Sequence, residues 1–423
     1  MKKNILFNQN IVGILLLIII FPGCLKDKVT HTYTLNVPIL KSLSAVRADM
    51  KTAPATSLTS VGKIYIQGNY IFMNEKEKGI HIIDNSNPSS PHNISFINIP
   101  GNEDIAVKGT ILYADAYNDL VAFDISDPTH VTPKKFISNA FPDRGYYNPN
   151  TSPDSIMLVV GWTTKDTTVD YNSQPDVIYN VSCPSCQVLA AVPASQTDNQ
   201  ANNGTGGSMS RFTIINNYLY TVTHQDLNVF DISIPENPNF QNKTLLSWDI
   251  ETIYPFKNRL FIGSNSGVFM FDITSSPDNP SRTGQFAHAR ACDPVIADDN
   301  YAYVTLSDGR KCQGFENQLD IVDIKKLDEN LSPLVKSYPL THPQGLSKDG
   351  NTLFICDDKD GLKVYDATDV MNLKMISNIK DAETYDVITT GGLAIVVSKD
   401  GLYQYDYTDL SNIHLISKLA VKN

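Results

Sequence analysis

Seven times this chain runs through a short alternating strand that ends in aspartate and passes into a polar turn. The copies are GIHIIDNSNP (79–88), DLVAFDISDP (119–128), DLNVFDISIP (226–235), GVFMFDITSS (267–276), QLDIVDIKKL (318–327), GLKVYDATDV (361–370) and GLYQYDYTDL (401–410). Their closing residues, Asp84, Asp124, Asp231, Asp272, Asp323, Asp366 and Asp406, are spaced by 40, 107, 41, 51, 43 and 40. Each copy follows a second apolar strand, from YIFMN (70–74) to LAIVV (393–397), and before that a first strand such as KIYIQ or YDVIT. A fourth strand, such as HNISFINI (92–99), comes after it. Four short strands in ~40–45 residues are the signature of a propeller blade. The expectation is an all-β chain, a seven-bladed β-propeller of four-stranded antiparallel blades over residues 60–423. Closing the ring removes the exposed edges that separate sheets would carry.

Composition agrees, with 20 Tyr, 17 Phe, 23 Gly and 23 Pro, residues suited to short strands divided by turns. The seven aspartates are expected to accept backbone N–H groups of the next turn and so to pin structure, not to form seven active sites. KIYIQGNYIFMNEKEKGIHIIDNSNPSSP and IPGNEDIAVKGTILYADAYNDLVAFDISDP resemble the LVIVD-repeat lipoproteins of Bacteroidetes-type bacteria, over roughly residues 60–420. That resemblance implies a propeller and an envelope location, and it carries no catalytic motif to transfer.

The N-terminus bears on the compartment. Lys2 and Lys3 precede the apolar run Ile11 to Phe21, then Pro22-Gly23-Cys24. A basic start, a short apolar core and a small residue before the cut make a signal peptide, residues 1–23. The run is shorter than a membrane-spanning helix requires. Cys24 after Gly23 resembles a lipobox, with Phe21 and Pro22 departing from its commonest residues. Cys24 is therefore the expected lipidation site, and residues 24–59 the anchored leader. The destination is the bacterial outer membrane or cell surface. Without residues 1–23 the chain carries 32 basic and 45 acidic residues, a net charge of −13. No basic footprint for nucleic acid remains.

The spacing of 107 holds an insertion at 141–210. Within it SIMLVVGWTT (155–164) and TVDYN (168–172) are expected to form a hairpin, and SQTDNQANNGTGGSMS (195–210) to be mobile. In the leader, Tyr33 to Val37 reads as an added strand and Ser42 to Met50 as a short helix; pairing of the leader with the last blade stays open. In a four-stranded meander the connection into each first strand and the turn between strands two and three share one face. The insertion and the long turn LSDGRKCQGFENQ (306–318) both fall there, which marks it as the working surface.

Candidate chemistry is sparse. Cys183 and Cys186 form a CxxC without a second half, read as a local disulfide, with an unpaired or cross-loop arrangement as the alternative. Cys292 and Cys312 are expected to clamp the long turn of blade five, and Cys356 to be a buried thiol. Strand entries bring Lys63, Glu103, Asp104, Arg211, Glu251, Arg290, Asp293, His342 and Asp386 around the channel mouth as ligand-binding candidates. Such convergent polar groups suit a small polar ligand, although each can equally satisfy a strand-entry amide or an ion pair. DDKDG (357–361) and SKDG (398–401) resemble pieces of calcium loops but lack the later glutamate, and hairpin chemistry accounts for them. There is no GxSxG, HExxH or phosphate loop. No catalytic residue, metal or cofactor is expected. Two functions remain: a non-catalytic, monomeric scaffold that binds a protein, glycan or small polar ligand, or a hydrolase or lyase with carboxylates at the channel mouth.

Overall fold

The computed structural model describes residues 30–144, 150–170, 204–247, 249–288, 294–308, 317–329 and 331–422. It divides into two units, one of residues 1–40 and 159–182, the other of 41–158 and 183–423.

The larger unit is a seven-bladed β-propeller of four-stranded antiparallel blades, spanning 64–98, 105–137, 212–245, 250–287, 295–339, 346–379 and 384–420. Each blade is a consecutive meander. Its innermost strands are Ile64–Gln67, Ile105–Lys108, Phe212–Ile215, Ile250–Phe256, Val295–Ala297, Leu346–Asp349 and Thr384–Thr390. One irregularity recurs in every blade, a register shift between the third and fourth strands shortly before the marker aspartate, as at Ile82/Ile83 and Gln404/Tyr405. A bulge of this kind adds local twist, which a radial stack of sheets needs. Where the third strand opens on Gly79, Gly267 or Gly401, a Cβ would strike the carbonyl oxygen of the outer strand, and φ near 150° suits only glycine.

The aspartates act as the sequence suggests. Asp84, Asp124, Asp231, Asp272, Asp366 and Asp406 each accept the backbone N–H two residues on, at 2.7–2.9 Å. In blade five Asp323 instead caps the short helix Ile324–Asp328, accepting from Lys326 N at 3.0 Å.

The ring closes through side chains. Leu58, Ile64, Ile71, Met73 and Ile83 near blade one pack with Ile388, Ile395, Val397 and Leu402 of blade seven, all buried. Each such side chain contributes about 1.5–3 kcal/mol, more than the ~1 kcal/mol of one further backbone bond. Gln404 and Asn85 exchange amide hydrogen bonds at 2.8 and 2.9 Å across the same seam. The leader pairs elsewhere: Thr52–Pro54 adds an outer strand to blade one, with Thr52 opposite Ile97. A backbone bond ties it to the C-terminal segment, from Lys422 N to Leu58 O, 2.8 Å. The short helix is Leu43–Asp49, capped by Ser42 and burying Leu43 and Val46.

In the smaller unit, residues 30–40 and 159–170 form a two-stranded ribbon. The expected hairpin is therefore corrected: residues 157–170 make one continuous strand that pairs with Thr30–Ser42. Lys165-Asp166-Thr167 offers a single turn former, Asp166, whose carboxylate is instead engaged by Thr34 across the ribbon, and the β-rich run passes through it. The strand at Tyr33 to Val37 is present within Thr30–Ser42. No helix among the described residues is long and apolar enough to cross a membrane.

Candidate functional site

A propeller leaves seven innermost strands with unpaired backbone groups facing the channel, and buried groups of that kind must find partners. Here the chain supplies them itself. Thr205 and Gly206 pair with Ile66 and Tyr65 of blade one. Gly204 N donates to Val107 O of blade two at 2.9 Å, and Ile253 N of blade four donates to Ser210 O at 2.7 Å. Ser208 Oγ accepts from Leu346 N of blade six, 3.1 Å away. Residues 206–210 are buried. This corrects the expectation of mobility for 204–210. A Gly/Ser-rich stretch is slim enough for the channel, and the strand edges give it fixed partners; the remainder of the 195–210 tract lies outside the described residues.

Four of the strand-entry candidates meet beside this plug. Lys63 forms an ion pair with Asp104, both buried. Asp104 also accepts Arg211 N at 2.7 Å and Ile105 N at 2.8 Å. Glu103 lies 3.4 Å from Arg144, 3.4 Å from Lys76 and 3.9 Å from Arg211. Partial burial works to raise the Glu103 carboxyl, but the Arg144, Lys76, Arg211 and Lys63 charges outweigh it and hold the pKa at about 2. Burial pushes the Lys63 ammonium down, against the opposing pull of Asp104.

The network extends to residues the sequence reading passed over. Arg144 pairs with buried Asp115, whose carboxyl burial raises despite that arginine. Asn102 donates to Asp115 Oδ1 at 2.7 Å, and the backbone N–H groups of Glu103 and Asp104 donate to the same oxygen. Asp115 did leave a trace: an acid inside the apolar run ILYADA is a buried polar position awaiting a partner. Arg144 left none, because only the fold brings it there.

The other described candidates contribute no side-chain hydrogen bond or ion pair to this cluster. Glu251 sits on the inner strand of blade four, its carbonyl 3.4 Å from Arg211 Nε. His342 lies between blades five and six, with Nε2 3.5 Å from Asp308 and Nδ1 2.9 Å from Gln344. Asp386 of blade seven is fully buried, and among the described residues its carboxylate oxygens meet no donor in full hydrogen-bond geometry, the Val387 N–H being the nearest approach to one. Burial drives its pKa well up, only partly offset by the Val387 N–H and the Lys63 charge. Arg290, Asp293, Cys24, Cys183, Cys186, Cys292 and Cys312 lie outside the described residues. Cys356 is a buried free thiol, its pKa raised by burial and nearby Asp386.

Two of the three DDKDG carboxylates are taken up by lysines. Asp357 and Asp360 pair with Lys363, and Asp360 also with Lys380. Beside them, burial and the neighbouring Glu383 raise Asp358, while His342 pulls it back. Among the described residues no three His, Cys, Asp or Glu side chains are placed to hold a metal ion. A groove of about 480 Å³ opens between blades four and five, lined by Lys257, Arg259, Asp298, Asp299, Lys325 and Asp328 among others. It lies at the marker-aspartate ends of the strands, away from the channel entries, and Arg259–Asp328 (2.6 Å) and Lys257–Asp299 ion pairs bridge its charges.

Against known proteins, the LVIVD repeat matches residues 60–97, 102–136 and 206–244, in the region of blades one to three. The sequence matches no curated protein. Among solved structures, a functionally unknown protein from Desulfotomaculum acetoxidans DSM 771 is similar at 11% identity and a TM-score of 0.41, over 49% of this chain and 67% of that one. PorZ, an essential bacterial surface component of the type-IX secretion system of Porphyromonas gingivalis, is similar at 11% identity and a TM-score of 0.47. That match covers 86% of this chain but 39% of PorZ. LVIVD repeats on a seven-bladed propeller are what this chain carries.

Proposed function

We propose that this chain is a non-catalytic envelope lipoprotein of the LVIVD-repeat kind, held by a lipid on Cys24 and binding a partner through the face that carries the strand entries. The supporting observation is the plug. Residues 204–210 occupy the channel, and Lys63, Arg144 and Arg211 engage Asp104, Asp115 and Glu103 where an enzyme would need free carboxylates. What the ring then offers a partner is the surface of its loops, the usual place for binding residues on a rigid scaffold. The partner classes remain a protein, a glycan or a small polar ligand.

Two measurements test this. Cells fed an alkyne fatty acid should label the wild type in the membrane fraction, and Cys24→Ser should be unlabelled and soluble. An unlabelled, soluble wild type would overturn the anchor. Photocrosslinkers at exposed Glu77, Lys359 and Lys399, on second-to-third-strand turns, should give discrete adducts in intact cells. Crosslinkers at Ser86 and Thr368, on the marker face, should not; adducts from the marker face alone, or from neither, would overturn the binding face.

The enzyme reading retains one observation, the raised Asp358 beside Glu383 and His342, since paired carboxylates of unlike pKa suit acid–base work. Turnover of a glycoside or ester panel by the purified chain, lost in Asp358→Asn, would replace the scaffold with it.

A further inference from the structure

The ribbon of residues 30–40 and 159–170 has two unlike faces. Thr32 Oγ1 lies 2.9 Å from Thr168 Oγ1, and Thr34 Oγ1 donates to Asp166 at 2.7 Å. These pairs make the ribbon antiparallel and place 32, 34, 166 and 168 on one face. Strand alternation then puts Tyr33, Leu35, Val37 and Ile39 together on the other. There Tyr33 is 50%, Leu35 46% and Ile39 45% exposed, with Thr163, Lys165 and Thr167 of the partner strand beside them, while Leu40 (49%) and Trp162 (44%) are exposed on the first face, toward the far end of the ribbon. Ile39 reaches over Gly161 of the partner strand, as that alternation requires. An apolar row exposed along a strand calls for an occupant, and an isolated two-stranded ribbon is marginal in water alone.

Chain length limits what the occupant can be. Five residues lie between Cys24 and Thr30, where the ribbon begins, so six residue steps join them. Fully extended they span about 20 Å, roughly half the ~40–45 Å thickness of a bilayer with its headgroups. A lipid on Cys24 would therefore keep the start of the ribbon within about 20 Å of the membrane surface, close enough for the row to lie down on it. Resting on the lipid-anchor reading above, we infer that the Tyr33–Leu35–Val37–Ile39 face lies on the lipid surface, a second apolar contact beside the acyl chains. Tyrosine beside aliphatic side chains suits the headgroup boundary, and a second signal strengthens membrane attachment.

The test compares adjacent residues on opposite faces. In a Trp162→Phe, Trp248→Phe background, which removes both native tryptophans, Leu35→Trp and Asn36→Trp are made. A hexahistidine tag replaces residues 1–24, and the chain is tethered to phosphatidylethanolamine/phosphatidylglycerol vesicles bearing nickel-chelating and brominated lipids. Leu35→Trp fluorescence should shift to the blue and be quenched several-fold more than that of Asn36→Trp. Equal quenching of the two, or none, overturns the inference. Because the tag supplies the tether, a missing fatty acid on Cys24 would fail the anchor reading without deciding this one.

Discussion

The two ends of the propeller's strands are held by different physics. At the marker end, six aspartates each bond an amide two residues along the chain. The same local turn, written many times, needs nothing from elsewhere in the molecule. At the channel entries every element occurs once: Lys63 meets Asp104 across 41 residues, Arg211 N meets Asp104 across 107, and Leu346 N meets Ser208 across 138. The marker end is exposed and redundant, whereas the channel end is buried and single-copy. Damage at the first should therefore be local and shallow, and at the second cooperative and deep.

The largest expected effect is on the buried pair. Lys63→Met should cost about 3–5 kcal/mol, since it leaves the Asp104 charge buried with only amide partners. Adding Asp104→Asn should recover part of that loss, because neighbours in one network are not additive. Denaturant melts of the single and double variants measure both. A loss below 1 kcal/mol for Lys63→Met would place the pair on the same footing as the surface.

Asp386 should behave with the opposite sign. Its folded pKa is raised, so it opposes folding wherever the unfolded chain ionises and the fold does not. Asp386→Asn should therefore be more stable than wild type at pH 7. The gain should shrink toward zero as pH falls to about 4, at about 1.4 kcal/mol per pH unit while the native carboxyl stays neutral. Glu103, held at about 2, contributes stability that is present at neutral pH and is lost only as pH falls below the ordinary glutamate range. An Asp386→Asn gain independent of pH would mean that desolvation is not the cause.

The plug offers a third, smaller test. A Cβ at Gly204 would meet the Tyr65 ring and, at 2.6 Å, the Ile66 carbonyl oxygen. Gly204→Ala should cost about 1–3 kcal/mol, as overpacking does. Hydrogen exchange should then rise at Ile253 N and Leu346 N, the inner-strand amides the plug protects. Unchanged exchange there would show that these amides do not depend on it.

The same contrast explains what could be read in advance. The seven blades were legible because each restates the same alternation and aspartate within ~40 residues. Candidates such as Lys63, Asp104 and Arg211 were legible as strand entries, but their pairing was not, for it depends on which blades adjoin. Residues 204–210 looked like flexible linker by composition, and their order comes entirely from strand edges remote in sequence. The 157–170 strand was misread because its partner, Thr30–Ser42, lies more than 100 residues away.

Blade five gives the smallest effect and the finest test of redundancy. Its marker, Asp323, caps a helix at Lys326 N in place of the usual two-residue turn. That helix buries Ile324 and Leu327, and Arg259 of blade four reaches Asp328 at its end. Asp323→Ala should cost about 1 kcal/mol, the ordinary worth of an N-cap, and should loosen the Arg259–Asp328 contact to the neighbouring blade. Asp366→Ala, whose carboxylate bonds Thr368 N and faces Lys374 within its own blade, should cost less and leave neighbouring blades unmoved. Equal losses in melts of the two variants, with no difference in exchange on blade four, would mean that the helix adds nothing to the marker and that the seven turns are equivalent.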